Sequence, residues 1–185
     1  MSRVFRLQGT RVQVANATFF PTHEALRKVI EENLDALLSL RYLESSFHLV
    51  DMPADLPREC RDIDTLAFDP ATYAPVAIEY RDRVSGDLAA QGAAMLRALP
   101  TQGQVLRYLV KRAGFSPERI EWSKARVLFI GREGATVTPV PSRTRDGGTE
   151  LWKCELYASD FLVLDHLVTF ASAAPATPRQ PTPAA

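Results

Sequence analysis

Residues 61–81, RDIDTLAFDPATYAPVAIEYR, decide how the chain folds. Two apolar runs flank a turn bounded by Pro70 and Pro75. Ile63 to Phe68 reads as one strand and Val76 to Tyr80 as the next. The second run is short, β-rich and apolar on both faces, as expected at the centre of a sheet. Charges nevertheless interrupt both runs. Asp62 and Asp64 share one strand parity, and Glu79 and Arg81 share another, whereas Ile78 and Tyr80 point the opposite way. Buried charges are rare unless they are paired or hold a metal. If the two strands are neighbours, Asp64, Glu79 and Arg81 converge at one edge of a mixed sheet. Two carboxylates beside a cation are the parts needed to hold Mg²⁺ and to stabilise a phosphoryl transition state.

Working outward, residues 3–16 alternate Val4, Phe5, Leu7, Val12 and Val14 around Gln8-Gly9-Thr10 and predict a β-hairpin. Thr22 is placed to cap a helix running to about Leu40, with Leu26, Ile30, Leu34, Leu37 and Leu38 at helical spacing. Phe47, Leu49 and Val50 mark a strand. Asp51 to Arg58 holds two prolines and reads as a loop. After a further loop, Asp87 caps a helix to Ala98, and a second helix covers Thr101 to Ala113, with Gly114 as its terminator. Arg126 to Ile130 is a strand. Leu151–Tyr157 and Phe161–Leu164 read as a closing strand pair, although Phe161–Phe170 suits a helix equally well. The tail 171–185, rich in Ala, Pro and Thr, offers nothing to bury and is expected to be disordered. The order predicts an α/β domain over residues 1–170, with a mixed central sheet flanked by helices. Its parts are the N-terminal hairpin 3–16, a core over 22–132 and C-terminal elements over 150–170.

The central motif resembles the PD-(D/E)XK nuclease superfamily, the restriction-endonuclease-like fold. There an Asp on one strand is followed, after a hairpin, by Glu-x-Lys on the next. Ile63-Asp64-Thr65-Leu66 supplies the Asp here, and Ile78-Glu79-Tyr80-Arg81 supplies Glu-x-Lys with Arg in place of Lys. Gln91-Gly92 is similar to the Gln that opens the following helix in a branch related to the catalytic domain of mismatch-type endonucleases. Glu31-Glu32-Asn33-Leu34 resembles that branch's N-terminal helix motif. The resemblance implies an α/β/α core and a metal-dependent DNA endonuclease. Asp64, Glu79 and the Tyr80 carbonyl would bind Mg²⁺ or Mn²⁺. Gln91 would orient water or substrate, and Glu31 would hold a water of the metal site. DNA is implied as the partner ahead of RNA, and a homodimer is compatible with the pattern.

Arg81 departs from the family pattern in a way that matters chemically. A lysine can lose its proton when desolvated, whereas arginine stays charged and cannot act as a base. Arg81 therefore keeps the electrostatic part of the lysine's role and drops proton transfer. The alternative function is a nuclease-like fold that no longer cuts and serves as a nucleic-acid-binding or protein-interaction module. A purely structural Asp64–Arg81 salt bridge inside the sheet is a third reading.

The global numbers set the frame. The 185 residues carry 22 basic and 22 acidic side chains, a net charge of zero, and 46% are hydrophobic. That balance argues against strong nonspecific nucleic-acid binding over the whole surface. Residues 105–126 hold Arg107, Lys111, Arg112, Arg119, Lys124 and Arg126 against Glu118 and Glu121, an excess that reads as a solvated helix face. No apolar run suits a bilayer span, and the N-terminus lacks a signal-peptide pattern, so a cytoplasmic protein that does not enter membranes is expected. Cys60 and Cys154 form no disulfide framework, and Cys60 reads as a buried thiol. His23, His48 and His166 lack metal spacing and read as surface or boundary residues. Gly131, Arg132 and Gly134 match no phosphate-binding loop and read as a turn.

Overall fold

The computed structural model describes residues 4–8, 10–18, 20–50, 61–81, 87–131, 148–157 and 161–170. It is an α/β structure built on a seven-stranded mixed sheet. The two runs of the central stretch are β5 (Asp62–Asp69) and β6 (Ala74–Arg81), paired antiparallel with Thr65 opposite Ile78 and Phe68 opposite Pro75. The turn between them forms because Asp69 Oδ1 accepts from the Ala71 and Thr72 N–H groups at 2.9 and 3.2 Å. Tyr73 completes it at φ +57°.

The expected N-terminal hairpin is present as β1 (Phe5–Gln8) and β2 (Arg11–Val14), a separate two-stranded sheet. A short β3 (Ala17–Thr18), not anticipated from the sequence, pairs with the C-terminal end of β8 (Gly148–Tyr157). β4 (Arg41–His48) lies on the outer side of β5. β7 (Arg126–Gly131) runs parallel to β6, and β8 (Gly148–Tyr157) parallel to β7. β9 (Phe161–Phe170) pairs antiparallel with β8, so this segment is strand over its whole length. Its helical and strand patterns were both permitted by an apolar run, and pairing with β8 decided between them.

Helices cover both faces. α1 (His23–Glu32) starts where Thr22 Oγ1 accepts from Ala25 N at 3.0 Å. The single helix expected to Leu40 is divided at Asn33, whose side chain donates to the Val29 carbonyl at 2.9 Å, and resumes as α2 (Leu34–Leu38). Leu26, Ile30 and Leu34 are buried against Ala67, Val76, Ile78, Tyr80, Leu128 and Ile130 on one sheet face. α3 (Leu88–Ala98), capped by Asp87 on Ala90 N, covers the other face. A 3-10 turn, Leu99–Gln102, leads into α4 (Gly103–Arg112), so the second predicted helix is shorter at its start than expected. Gly114 terminates the segment at φ +87°. Met95, Leu99, Leu106 and Val110 are buried there with Leu66, Phe68, Ala77, Val127, Phe129 and Leu151. Each fully buried Leu or Phe of these layers contributes about 1.5–3 kcal/mol. Trp122 packs at the margin of this second layer, in keeping with a packing role. No helix among the described residues is long and apolar enough to cross a membrane. Cys60, the loop 51–58, residues 132–147 and the tail 171–185 lie outside the described residues.

Candidate active site

β5 and β6 bring Asp64 and Glu79 together. With Thr65 paired to Ile78, the antiparallel register sets Asp64 opposite Glu79. Here side chains take over from the backbone ladder. Glu79 Oε1 accepts from Asp64 N at 3.3 Å, and Asp64 Oδ2 accepts from Tyr80 N at 2.9 Å. The two carboxylates thus close the end of the strand pair reciprocally. They lie on interior strands, flanked by β4 and β7, rather than on the sheet edge expected from the sequence. The correction follows from β7: its parallel pairing with β6 leaves neither central strand at the border.

Glu79 is buried, at 3% exposure, on the face that Ala77 and Phe129 line. Burial pushes its carboxyl up from 4.5 to about 8, the Asp64 carboxylate adds to the rise, and the Arg81 guanidinium opposes it. Arg81 Nη2 donates to Glu79 Oε2 at 3.2 Å, and its guanidinium carbon stands 5.6 Å from the centre of the Phe129 ring. The ion pair of Arg81 is therefore with Glu79 and not with Asp64, which counts against the third reading, a structural Asp64–Arg81 bridge. Residues two apart on a strand share a face, and that proximity outweighs the cross-strand pairing. Asp64 remains partly open to solvent.

The opposite face adds a second set of polar groups. Glu31 Oε1 accepts from Thr65 Oγ1 and from Ser45 Oγ, each at 2.6 Å. Thr65 Oγ1 in turn lies 3.2 Å from the Tyr80 hydroxyl. Burial raises the Tyr80 phenol, the Thr65 hydrogen bond opposes this, and the Glu31 and Asp64 carboxylates raise it further. Glu31 is thus tied to the residue next to Asp64 and makes no hydrogen bond to Asp64 or Glu79. Gln91 sits half-buried in the first half of α3, on the layer that covers the Glu79 face, and its side chain makes no hydrogen bond to Asp64, Glu79 or Arg81.

One residue of the site escaped the sequence reading. His23, the first residue of α1, lies edge-on to Tyr80 with ring centres 5.7 Å apart and brings Nε2 to 3.4 Å from Asp64 Oδ2. That nitrogen is buried without a hydrogen-bond partner. The signal available was its place directly after the Thr22 cap, since a helix start facing a sheet end carries its first side chain towards that end. His48 and His166 are exposed, as expected; His48 Nδ1 pairs with Asp62 Oδ1 at 2.6 Å. Cys154 is a buried free thiol pushed up to about 12 by burial.

Comparison with known proteins adds little beyond this geometry. No family profile matches the chain. A protein of Haemophilus influenzae described as uncharacterised is 25% identical over 149 residues, which are 79% of this chain and 46% of that protein. The chain thus spans about half the length of this curated relative. The structure of Pyrococcus furiosus SfsA in complex with Ca²⁺ aligns with a TM-score of 0.37 and 11% identity, covering 85% of this chain and 78% of that one.

Proposed function

We propose that the chain is a PD-(D/E)XK-type nuclease that hydrolyses phosphodiester bonds of DNA with Mg²⁺ or Mn²⁺. The observation that carries this reading is the reciprocal closure of β5 and β6 by Asp64 and Glu79. A buried carboxyl raised to about 8 beside a second carboxylate is a pair that cannot be fully ionised at neutral pH without added positive charge. Arg81 supplies part of that charge, and a hard divalent cation suits the remainder.

The donors fit such an ion. Asp64 and Glu79 offer carboxylate oxygens. The Tyr80 carbonyl adds a third oxygen, since in a strand a residue's carbonyl points to the same side as its N–H, here the side of Asp64. No three His, Cys, Asp or Glu side chains converge among the described residues, so solvent would complete the shell, as Mg²⁺ prefers. When bound, the ion would lower the pKa of water and neutralise charge on the scissile phosphate.

The chain's own residues supply the rest. Arg81 stays cationic throughout and stabilises the negative charge that develops on the phosphoryl oxygens. It accepts no proton, so the proton of the attacking water leaves to solvent or to the phosphate. His23 lies against Asp64 on the α1 side, with Nε2 3.4 Å from Oδ2. Glu31 holds Thr65, and through it the position of β5 next to Asp64. Gln91 orients water or substrate from α3.

A second reading rests on Arg81 itself: an arginine in the lysine position also suits a nuclease-like module that binds without cutting. Cleavage of supercoiled plasmid and of branched or mismatched DNA with Mg²⁺ or Mn²⁺ separates the two. Wild type cuts and Asp64→Ala does not if the proposal holds. Absence of cutting by wild type on all substrates leaves the binding module.

A further inference from the structure

The charge excess of residues 105–126 becomes a specific surface once the helices are in place. α4 has the sequence GQVLRYLVKR and carries no acidic residue. Leu106, Leu109 and Val110 are buried, so the outer face presents Gln104, Val105, Arg107, Tyr108, Lys111 and Arg112. Solvated helix faces elsewhere in the molecule look different. On α1, Arg27 pairs with Glu24 at 2.7 Å and Lys28 with Glu32 at 3.9 Å. On α4, Arg112 is held by Glu44 and the Leu43 carbonyl, whereas Arg107 and Lys111 have no carboxylate partner among the described residues. Tyr108 stands between them in the helix and is 64% exposed, beside Val105 at 45%. An exposed tyrosine among unpaired cations is not needed for packing or solubility. At the start of α4 an open depression of about 550 Å³ continues the same surface, lined by Pro100, Thr101, Gly103, Gln104, Arg107 and Trp122.

We propose that this outer face of α4 binds single-stranded DNA, with Arg107 and Lys111 on phosphates and Tyr108 as a stacking platform. Unpaired cations select a polyanion, and an exposed ring flanked by cations selects unstacked bases over a closed duplex. The inference deepens the nuclease reading by naming a contact for the substrate remote in sequence from Asp64 and Glu79.

The test is fluorescence anisotropy with a labelled oligothymidylate, its duplex with oligoadenylate, and anionic phospholipid vesicles as a third arm, all in EDTA so that nothing is cut. Wild type is expected to bind the single strand more tightly than the duplex. Arg107→Glu with Lys111→Glu is expected to weaken single-strand binding more than tenfold. The same pair should make the salt slope shallower by about 1.4, for two contacts at roughly 0.7 each. Tyr108→Ala should cost about tenfold on the single strand and leave the duplex unchanged. All these positions are exposed, and circular dichroism checks that the variants stay folded. Binding by both variants at the wild-type level overturns the inference, as does a preference for vesicles or the absence of binding. Asp64→Ala separates this outcome from the nuclease reading: binding that survives in Asp64→Ala while wild type fails to cut leaves the α4 surface standing and removes the catalytic proposal. Cutting by wild type that is unaltered in the α4 variants does the reverse.

Discussion

Replacing Glu79 with Gln should change how the stability of the protein depends on pH, and the structure sets the size. The Glu79 carboxyl is raised from 4.5 to about 8, chiefly by burial. Between those values the unfolded chain has lost the proton and the folded chain keeps it. The folded state therefore binds more protons, and stability falls as pH rises through this window. Below about pH 4.5 no penalty applies, and above about pH 8 it is complete. At about 1.4 kcal/mol per pH unit the displacement sets a ceiling of about 5 kcal/mol. Glutamine removes this dependence, because its amide does not ionise. Urea unfolding of both proteins at half-unit steps from pH 5 to 9 should show Glu79→Gln gaining on wild type with each step up to about pH 8 and levelling beyond. Adding Mg²⁺ should narrow the gap at pH 8 by stabilising wild type alone, since binding to the native state stabilises it by mass action. A difference that stays constant from pH 5 to 9 would refute the description of Glu79 as a buried acid held protonated by its surroundings.

Three further outcomes follow from the packing and the site. Gly92→Ala should destabilise the fold by about 1–3 kcal/mol in denaturant unfolding, because a Cβ there would overlap the Thr149 side chain, and Thr149→Ala should recover only part of the loss, since the Cβ of residue 149 would still stand 2.8 Å away. Arg126 donates to Asp69 and to Glu150, each at 2.9 Å; Arg126→Met should cost about 3–5 kcal/mol by leaving two largely buried carboxylates unpaired, read from the unfolding midpoint. Arg81→Lys should preserve or raise metal-dependent cleavage, and Glu79→Gln should abolish it; plasmid cleavage by Glu79→Gln at the wild-type rate would remove Glu79 from the site.

The central strands were legible because their signal is local. Apolar, β-rich runs over 63–68 and 76–80 marked two strands, strand parity specified which residues share a face, and the turn residues placed the two strands side by side, so Asp64 and Glu79 followed. The caps at Thr22 and Asp87 were legible for the same reason. What the sequence hid depends on partners far along the chain. β9 is a strand because β8 pairs with it, and its apolar run alone permits helix as well. Arg126 is held by residues 57 and 24 positions away, which no spacing rule connects. His23 is a lone histidine in sequence and becomes a neighbour of Asp64 only through the docking of α1 on the sheet. Asn33 divides a helix whose apolar spacing runs on unbroken, because its side chain competes for the Val29 carbonyl.

The most direct test of the proposed site is calorimetric titration of the full chain with Mn²⁺ at pH 7, repeated in buffers of different ionisation enthalpy. If Asp64 and Glu79 form a cation site, wild type binds Mn²⁺ and releases about one proton per ion, because Glu79 must ionise to serve as a ligand. Asp64→Ala and Glu79→Gln then bind no Mn²⁺ while remaining folded. Binding by either variant with wild-type affinity, or no binding by wild type, would contradict it.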